Sequence, residues 1–343
     1  MKRTAEKTAA IALAAVFALS LTACTVQNND KDYVERLTDA TFQNGFGVSG
    51  LTSGNVSHTW WQYRNTVSDQ PIWSLNQFCD LSTTRFRKND DGTDAWRYDS
   101  TKNDLTLPTL FDEGYGIEGK DGDYETLTNR SGSKFASVNR STGELNLNVD
   151  TSKEYLNEAG EISPRVNGED WVHLIIEQSA GGVKIAEQSE IWVEIDFNLT
   201  KTNVIDTTGG ASQFQWIFSV RDMDSVVGDY FWFNITLYDD RYPEFPGGGQ
   251  FDSGKEDATG KYIYSVPGKN IFDGPVEGGK DYRVRLNIRP ILEQAFDDAK
   301  SKGALEQSEF SSMALNSLNI GWEVTHVAEM GVKISHLSLK TKA

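Results

Sequence analysis

The chain has 343 residues with 50 Asp and Glu against 33 Lys and Arg, a formal net charge of −17, nine Trp and two Cys. That acidic balance argues against a protein that grips nucleic-acid phosphates, and two cysteines exclude both a disulfide-rich scaffold and a four-thiolate zinc site. Aromatic residues make up 11%, too much large apolar side chain for a disordered chain, and the length fits one large domain or two average ones.

At the N-terminus, Lys2, Arg3 and Lys7 flank an apolar run, Ala9 to Leu21, that is too short to span a bilayer. The run ends in Leu21-Thr22-Ala23-Cys24, which resembles the lipobox of bacterial lipoproteins. The resemblance implies that residues 1–23 are a signal peptide and that Cys24 becomes a lipidated N-terminus. It also implies an extracytoplasmic chain, anchored to the cell-envelope membrane by that lipid rather than spanning it. An ordinary secretory signal with an incidental cysteine is the alternative. Losing the leader's three bases and one acid takes the net charge to −19. With Cys24 acylated, Cys79 has no intramolecular partner and reads as a small buried hydrophobe. Residues 24–52 are polar and aperiodic, so they read as a flexible tether, and 53–343 as a single domain.

Gly- and Asp-rich sequence between Asn89 and Glu125 predicts long surface loops. Beyond it, strands are expected at Leu145–Val149, Trp171–Glu177, Ile191–Leu199, Phe214–Val220, Tyr230–Tyr238, Tyr282–Ile288, Ile320–Val324 and Val332–Leu339. Each is rich in β-branched or aromatic residues and bounded by turn formers. One helix is predicted over 291–302, with Leu292, Ala295, Phe296 and Ala299 on one side, Pro290 at its first turn and Gly303 at its end. Many antiparallel-looking strands and one short helix point to an all-β sandwich or jelly roll.

Period-2 alternation sorts each strand into two faces. Ile191, Val193, Ile195, Phe197 and Leu199 form a core side, as do Phe214, Trp216, Phe218 and Val220, and Phe231, Phe233, Ile235 and Leu237. The opposite sides carry Trp192, Glu194 and Asp196; Gln215 and Arg221; Trp232, Asn234 and Tyr238; and His173 with Glu177. Flat aromatic rings beside planar amides and carboxylates suit a sugar, whose C–H faces stack while its hydroxyls bond. Trp192, Glu194, Gln215, Arg221, Trp232, Asn234 and Tyr238 are therefore expected to line one concave carbohydrate-binding face. The alternative is that the Asn89–Glu125 loops cover it as a second, polar-tinged core.

Three segments carry a resemblance: Arg165-Val166-Asn167-Gly168-Glu169-Asp170-Trp171 through Gln178, Phe231-Trp232-Phe233-Asn234 through Arg241, and Asn319-Ile320-Gly321-Trp322-Glu323-Val324. Together they resemble secreted bacterial proteins with a concanavalin A-like lectin/glucanase jelly roll. The resemblance implies that fold from about Trp73 to Leu339, and says less of function, because the fold hosts lectins, glycosidases and lyases. Laminarinase-like glucanases of that fold use a strand motif Glu-x-Asp-x-(x)-Glu. Glu194-Ile195-Asp196 matches its first two positions, but Asn198 or Leu199 stands where the second Glu belongs, and an amide cannot shuttle a proton.

If the chain is an enzyme, Glu194, Asp196 and His173 are the candidate catalytic groups of a glycoside hydrolase or polysaccharide lyase. No His-Glu-x-x-His helix pattern exists, so no metal or other cofactor is expected. Calcium remains open at Asp90-Asp91-Gly92-Thr93-Asp94 or Asp222-Met223-Asp224, where hard oxygens collect. The sequence thus predicts a lipid-anchored jelly roll that binds an oligo- or polysaccharide and no nucleic acid. A glycan-cleaving enzyme and an adhesive surface protein without a small ligand are the alternatives.

Overall fold

The computed structural model describes residues 32–52, 55–61, 72–78, 124–128, 132–157, 159–165, 171–224, 226–253 and 258–343. Among them, sixteen strands form two sheets packed face to face. The smaller sheet runs in the order β14 (Asp281–Asn287), β9 (Glu190–Asp206), β16 (Val327–Lys342), β7 (Leu145–Asp150), β6 (Lys134–Asn139), β5 (Tyr124–Thr128). A two-residue strand, β1 (Val34–Glu35), also pairs with β16. The larger sheet begins with β12 (Gly248–Phe251), β13 (Tyr262–Ser265), β11 (Tyr230–Asp239), β10 (Ser212–Asp222) and β15 (Met313–Val324). It continues through β8 (Val172–Lys184), β4 (Trp73–Phe78), β2 (Phe46–Thr52) and β3 (Asn55–Trp61). Pairing is antiparallel except for β11 with β13 and β2 with β4. The molecule is an all-β antiparallel sandwich of the jelly-roll class, as the strand pattern predicts.

The alternating residues that predict the strands also build the core. Val193, Ile195 and Leu199 of β9 are fully buried, and so are Phe214, Trp216, Phe218 and Val220 of β10. Phe197 and Phe214 meet across the two sheets at 5.6 Å between ring centroids. Trp322 of β15 fills the same interior and donates its indole N–H to the Leu147 carbonyl of the opposing sheet at 3.1 Å. Each such side chain contributes about 1.5–3 kcal/mol by burial, and the indole bond fixes how the sheets face one another.

The helix α1 (Arg289–Ser301) follows Pro290 and buries Leu292, Ala295, Phe296 and Ala299, the predicted face. Gly303 ends it at φ +84°, where a side chain would be strained. Here the expected span is right to within two residues.

The predicted tether is a correction. Residues 24–52 were expected to be flexible, but the chain from Tyr33 onward belongs to the compact unit. Leu37, Phe42 and Phe46 are buried in the core, and Phe42 stacks on Phe46 at 5.8 Å and lies 5.4 Å from Trp73. Glu35 accepts from the Leu339 backbone at 3.0 Å and from the Ser338 hydroxyl. Three isolated apolar residues in a polar stretch carry no periodicity, yet all three join the core. Cys24, Cys79 and the Asp90–Asp94 run lie outside the described residues.

Candidate functional site

The single face expected from the alternation is a second correction. Trp192, Glu194 and Asp196 stand on β9 and face outward from the smaller sheet, whereas Gln215, Arg221, Trp232, Asn234 and His173 belong to the larger sheet. Since both inner faces share one core, these two groups point to opposite sides of the molecule. Alternation assigns in or out along a strand, but not which sheet the strand joins.

On the smaller sheet, the Glu-x-Asp motif is consumed by ion pairs. Arg285 lies 3.4 Å from Glu194 and 2.8 Å from Asp196; Arg283 lies 3.4 Å from Asp196; His336 and Lys340 stand 3.1 and 3.4 Å from Glu194. Trp192 donates to Glu190 at 2.5 Å. The cations come from β14 and β16, which flank β9 in register. This arrangement locks three strands together, and it holds the carboxylates of both Glu194 and Asp196 among cations.

The larger sheet holds the better site. Four neighbouring strands, β8, β15, β10 and β11, align outward residues in rows: His173, Glu323 and Gln213; Ile175, Gly321, Gln215 and Thr236; Glu177, Asn319, Ile217 and Asn234. Ser219 and Trp232 continue the pattern, followed by Arg221 opposite Tyr230. A hydrogen-bonded diagonal crosses the rows. Asn234 Nδ2 donates to Gln215 Oε1, Gln215 Nε2 donates to Glu323 Oε2 at 3.0 Å, and Glu323 lies 3.7 Å from His173 Nε2.

These side chains are sheltered rather than spread on an open surface: Gln215 is 4% exposed, Asn234 7%, His173 8% and Thr236 2%. Asn234 Oδ1 and Thr236 Oγ1 are buried with no hydrogen-bond partner among the described residues. A buried acceptor without a donor costs about 1–3 kcal/mol, so such groups call for a ligand or a water. Trp232 stands half-buried beside them, with its ring edge-on to Tyr230 at 5.3 Å.

Among the described residues, two carboxylates occupy this face: Glu177, which alternation already places on the outward side with His173, and Glu323, which it does not single out. Glu177 accepts from Asn76 Nδ2 at 2.6 Å, and burial pushes its carboxyl above the ordinary value, an effect that the Asn76 bond only partly offsets. Glu323 is held by Gln215. The two Glu sit four residues apart on adjacent strands, roughly 14 Å between backbones. Asn76 stands opposite Ile175 and Gln215 opposite Gly321, so each bond draws its carboxyl toward the Ile175–Gly321 row. Gly321 raises no side chain there; a Cβ on it would stand 2.1 Å from the Leu174 carbonyl. Glu323 was hidden from sequence reading because it follows a buried Trp in a short motif with no alternation of its own to its C-terminal side.

Tyr238 is a third correction. A register shift between Phe214 and Gln215 leaves Leu237 as an extra residue, and Tyr238 then pairs with inward-facing Phe214. Its ring packs edge-on against buried Trp322 at 6.2 Å. Burial, with Asp240 and Asp239 adding, pushes the phenol up to about 12. Tyr238 therefore leaves the outward face. Arg221 does face outward and is exposed, at the far end of the row pattern. Arg241 clamps Asp239 through two bonds of 2.9 and 2.6 Å. Asp222 serves its own turn by accepting from the Asp224 backbone at 2.8 Å. Among the described residues, no three His, Cys, Asp or Glu side chains gather as a metal site would need.

No protein-family model and no curated protein matches the chain. Among solved structures, it is similar to the xyloglucanase domain of a type three effector from Sinorhizobium fredii in complex with cellobiose. The two are 13% identical with a TM-score of 0.35, over 67% of this chain and 97% of that one. A family 12 xyloglucanase from Bacillus licheniformis in complex with ligand is 12% identical with a TM-score of 0.37, over 66% and 96%. The family 11 xylanase from Neocallimastix patriciarum is 9% identical with a TM-score of 0.36, over 67% and 97%. At TM-scores of 0.37 and below, these likenesses do not tell what this chain binds.

Proposed function

We propose that the chain binds a carbohydrate on the outer face of the larger sheet and does so outside the cytoplasm, tethered through a lipid on Cys24. The observation that carries the binding site is the pair of buried, unmet acceptors, Asn234 Oδ1 and Thr236 Oγ1, beside the half-buried Trp232. A sugar hydroxyl can donate to each acceptor and still accept from a neighbouring N–H, which a purely apolar ligand cannot do. The Trp232 ring supplies a flat apolar wall for the C–H face of the same sugar. Gln215 and Glu323 hold the Asn234 amide in one orientation, so the polar groups are set before ligand arrives.

A glycan array on the full chain, followed by product analysis on the hits, tests this reading. Binding to a defined set of glycans is the expected result; no binding to any glycan contradicts it and favours an adhesive protein without a small ligand. New reducing or unsaturated ends would add catalysis to binding. One observation favours that second reading: burial holds the Glu177 carboxyl toward its protonated form, as a general acid requires, while Glu323 on the same face could activate water. His173 would then orient Glu323, in place of the catalytic role expected from sequence.

A further inference from the structure

The outer face of the smaller sheet carries a separate cleft of about 350 Å³, within the size range of ligand pockets, roughly 300–1,000 Å³. It is walled by Phe135, Asn148, Thr200, Lys201 and Glu329, with Lys153 at its rim. Beneath them runs Gly331 of β16, opposite Asn148 on β7 and Lys201 on β9. A Cβ on Gly331 would stand 2.4 Å from Asn148 Oδ1 and 2.7 Å from Thr200 Oγ1. The glycine therefore keeps the floor low and leaves an amide and a hydroxyl facing each other across it. A register slip between Gly331 and Lys333 gives β9 an extra residue at this point. Thr200 and Lys201 consequently both reach the outer side, the re-aiming that a bulge produces.

Three features describe the ligand that would fit. Asn148 Oδ1 is buried and has no donor among the described residues, so the floor holds an unmet acceptor that a hydroxyl would satisfy. The charges at the rim cancel in pairs: Lys201 bonds Glu329, and Lys153 lies 3.2 Å from Asp150. The cleft thus offers donors and acceptors with no net charge. Phe135, opposite Asn148 on β6, adds a half-buried flat ring. Neutral, polyhydroxylated and flat on one side describes a sugar.

We propose that this cleft is a second carbohydrate site, taking one or two rings of a neutral glycan on the side of the sandwich opposite the first. Two sites that face apart cannot grip one short stretch of chain, but they can bridge separate strands of a polymer and so raise avidity. The second site shares only a ligand class with the face of the larger sheet, so either can fail alone.

Calorimetric titration of the full, detergent-solubilised chain with cellobiose, xylobiose and maltose tests the assignment. In Asn148→Ala/Lys201→Ala, one binding event per chain should weaken by roughly tenfold or more while the melting curve stays that of wild type. In Gln215→Ala/Asn234→Ala, the same event should persist. Should the first double variant fail to fold, Lys201→Ala alone carries the test, since its side chain is 54% exposed and outside the core. Unchanged stoichiometry and affinity in the smaller-sheet variants would overturn the assignment. So would the absence of binding by the wild type to all three disaccharides.

Discussion

Asn234, Gln215, Glu323 and His173 show what one residue's neighbours decide. Amides and a carboxylate on separate strands come together because Asn234 bonds Gln215 and Gln215 bonds Glu323 across β11, β10 and β15, with His173 of β8 3.7 Å from Glu323. Sequence reading placed Gln215, Asn234 and His173 on outward positions and was right about the direction of each. It missed Glu323, whose partners come from strands more than a hundred residues away. Glu177 gives a test at this scale. Burial raises its carboxyl above 4.5, so the folded chain holds that proton more tightly than the unfolded chain. Its contribution to stability is then full below 4.5 and is lost as pH rises through the folded value. Glu177→Gln cannot ionise. Thermal melts should show this variant gaining on wild type as pH rises from below 4.5 to neutrality; a gap that does not change with pH would contradict the account.

At the scale of elements, long alternating strands were legible and short ones were not. Strands β9, β10 and β11 announce themselves because one side is wholly apolar, and α1 because its apolar spacing lies between Pro290 and Gly303. By contrast β12, Gly248–Phe251, has four residues of which two are Gly, and its place is set by pairing with β13 and by Lys302, which donates to the Gly249 carbonyl at 2.9 Å. Bulges were invisible too, since a single extra residue leaves no mark on composition but turns the later side chains of its strand to the other face. Tyr238 is the case in point, and it separates the two readings. Once a bound glycan is known, Trp232→Ala should weaken it roughly tenfold while Tyr238→Phe leaves affinity unchanged. Loss of binding in Tyr238→Phe would restore the unbroken alternation and remove the bulge from the account.

For the whole molecule, the sandwich class followed from strand count and turn chemistry, but the assignment of strands to sheets did not. That assignment rests on long-range pairing such as β16 between β9 and β7, which no local pattern encodes. It is what divides the expected face into two, with Trp192 and Glu194 on one side and Gln215 and Asn234 on the other. The net charge of −17 leaves the ligand's own charge to the local groups. Anchoring belongs to this scale as well. In a bacterial host, the wild-type chain should take up labelled palmitate and fractionate with membranes, while Cys24→Ser should remain unlabelled; label on the Ser variant would place the lipid elsewhere.

The most direct test of the central claim compares the two sides of the sandwich with one glycan identified on the array. Gln215→Ala/Asn234→Ala should weaken binding roughly ten- to hundredfold, while Trp192→Ala/Glu194→Ala should bind as wild type does. The reverse pattern, with affinity lost on the smaller sheet and kept on the larger, would contradict the proposed site.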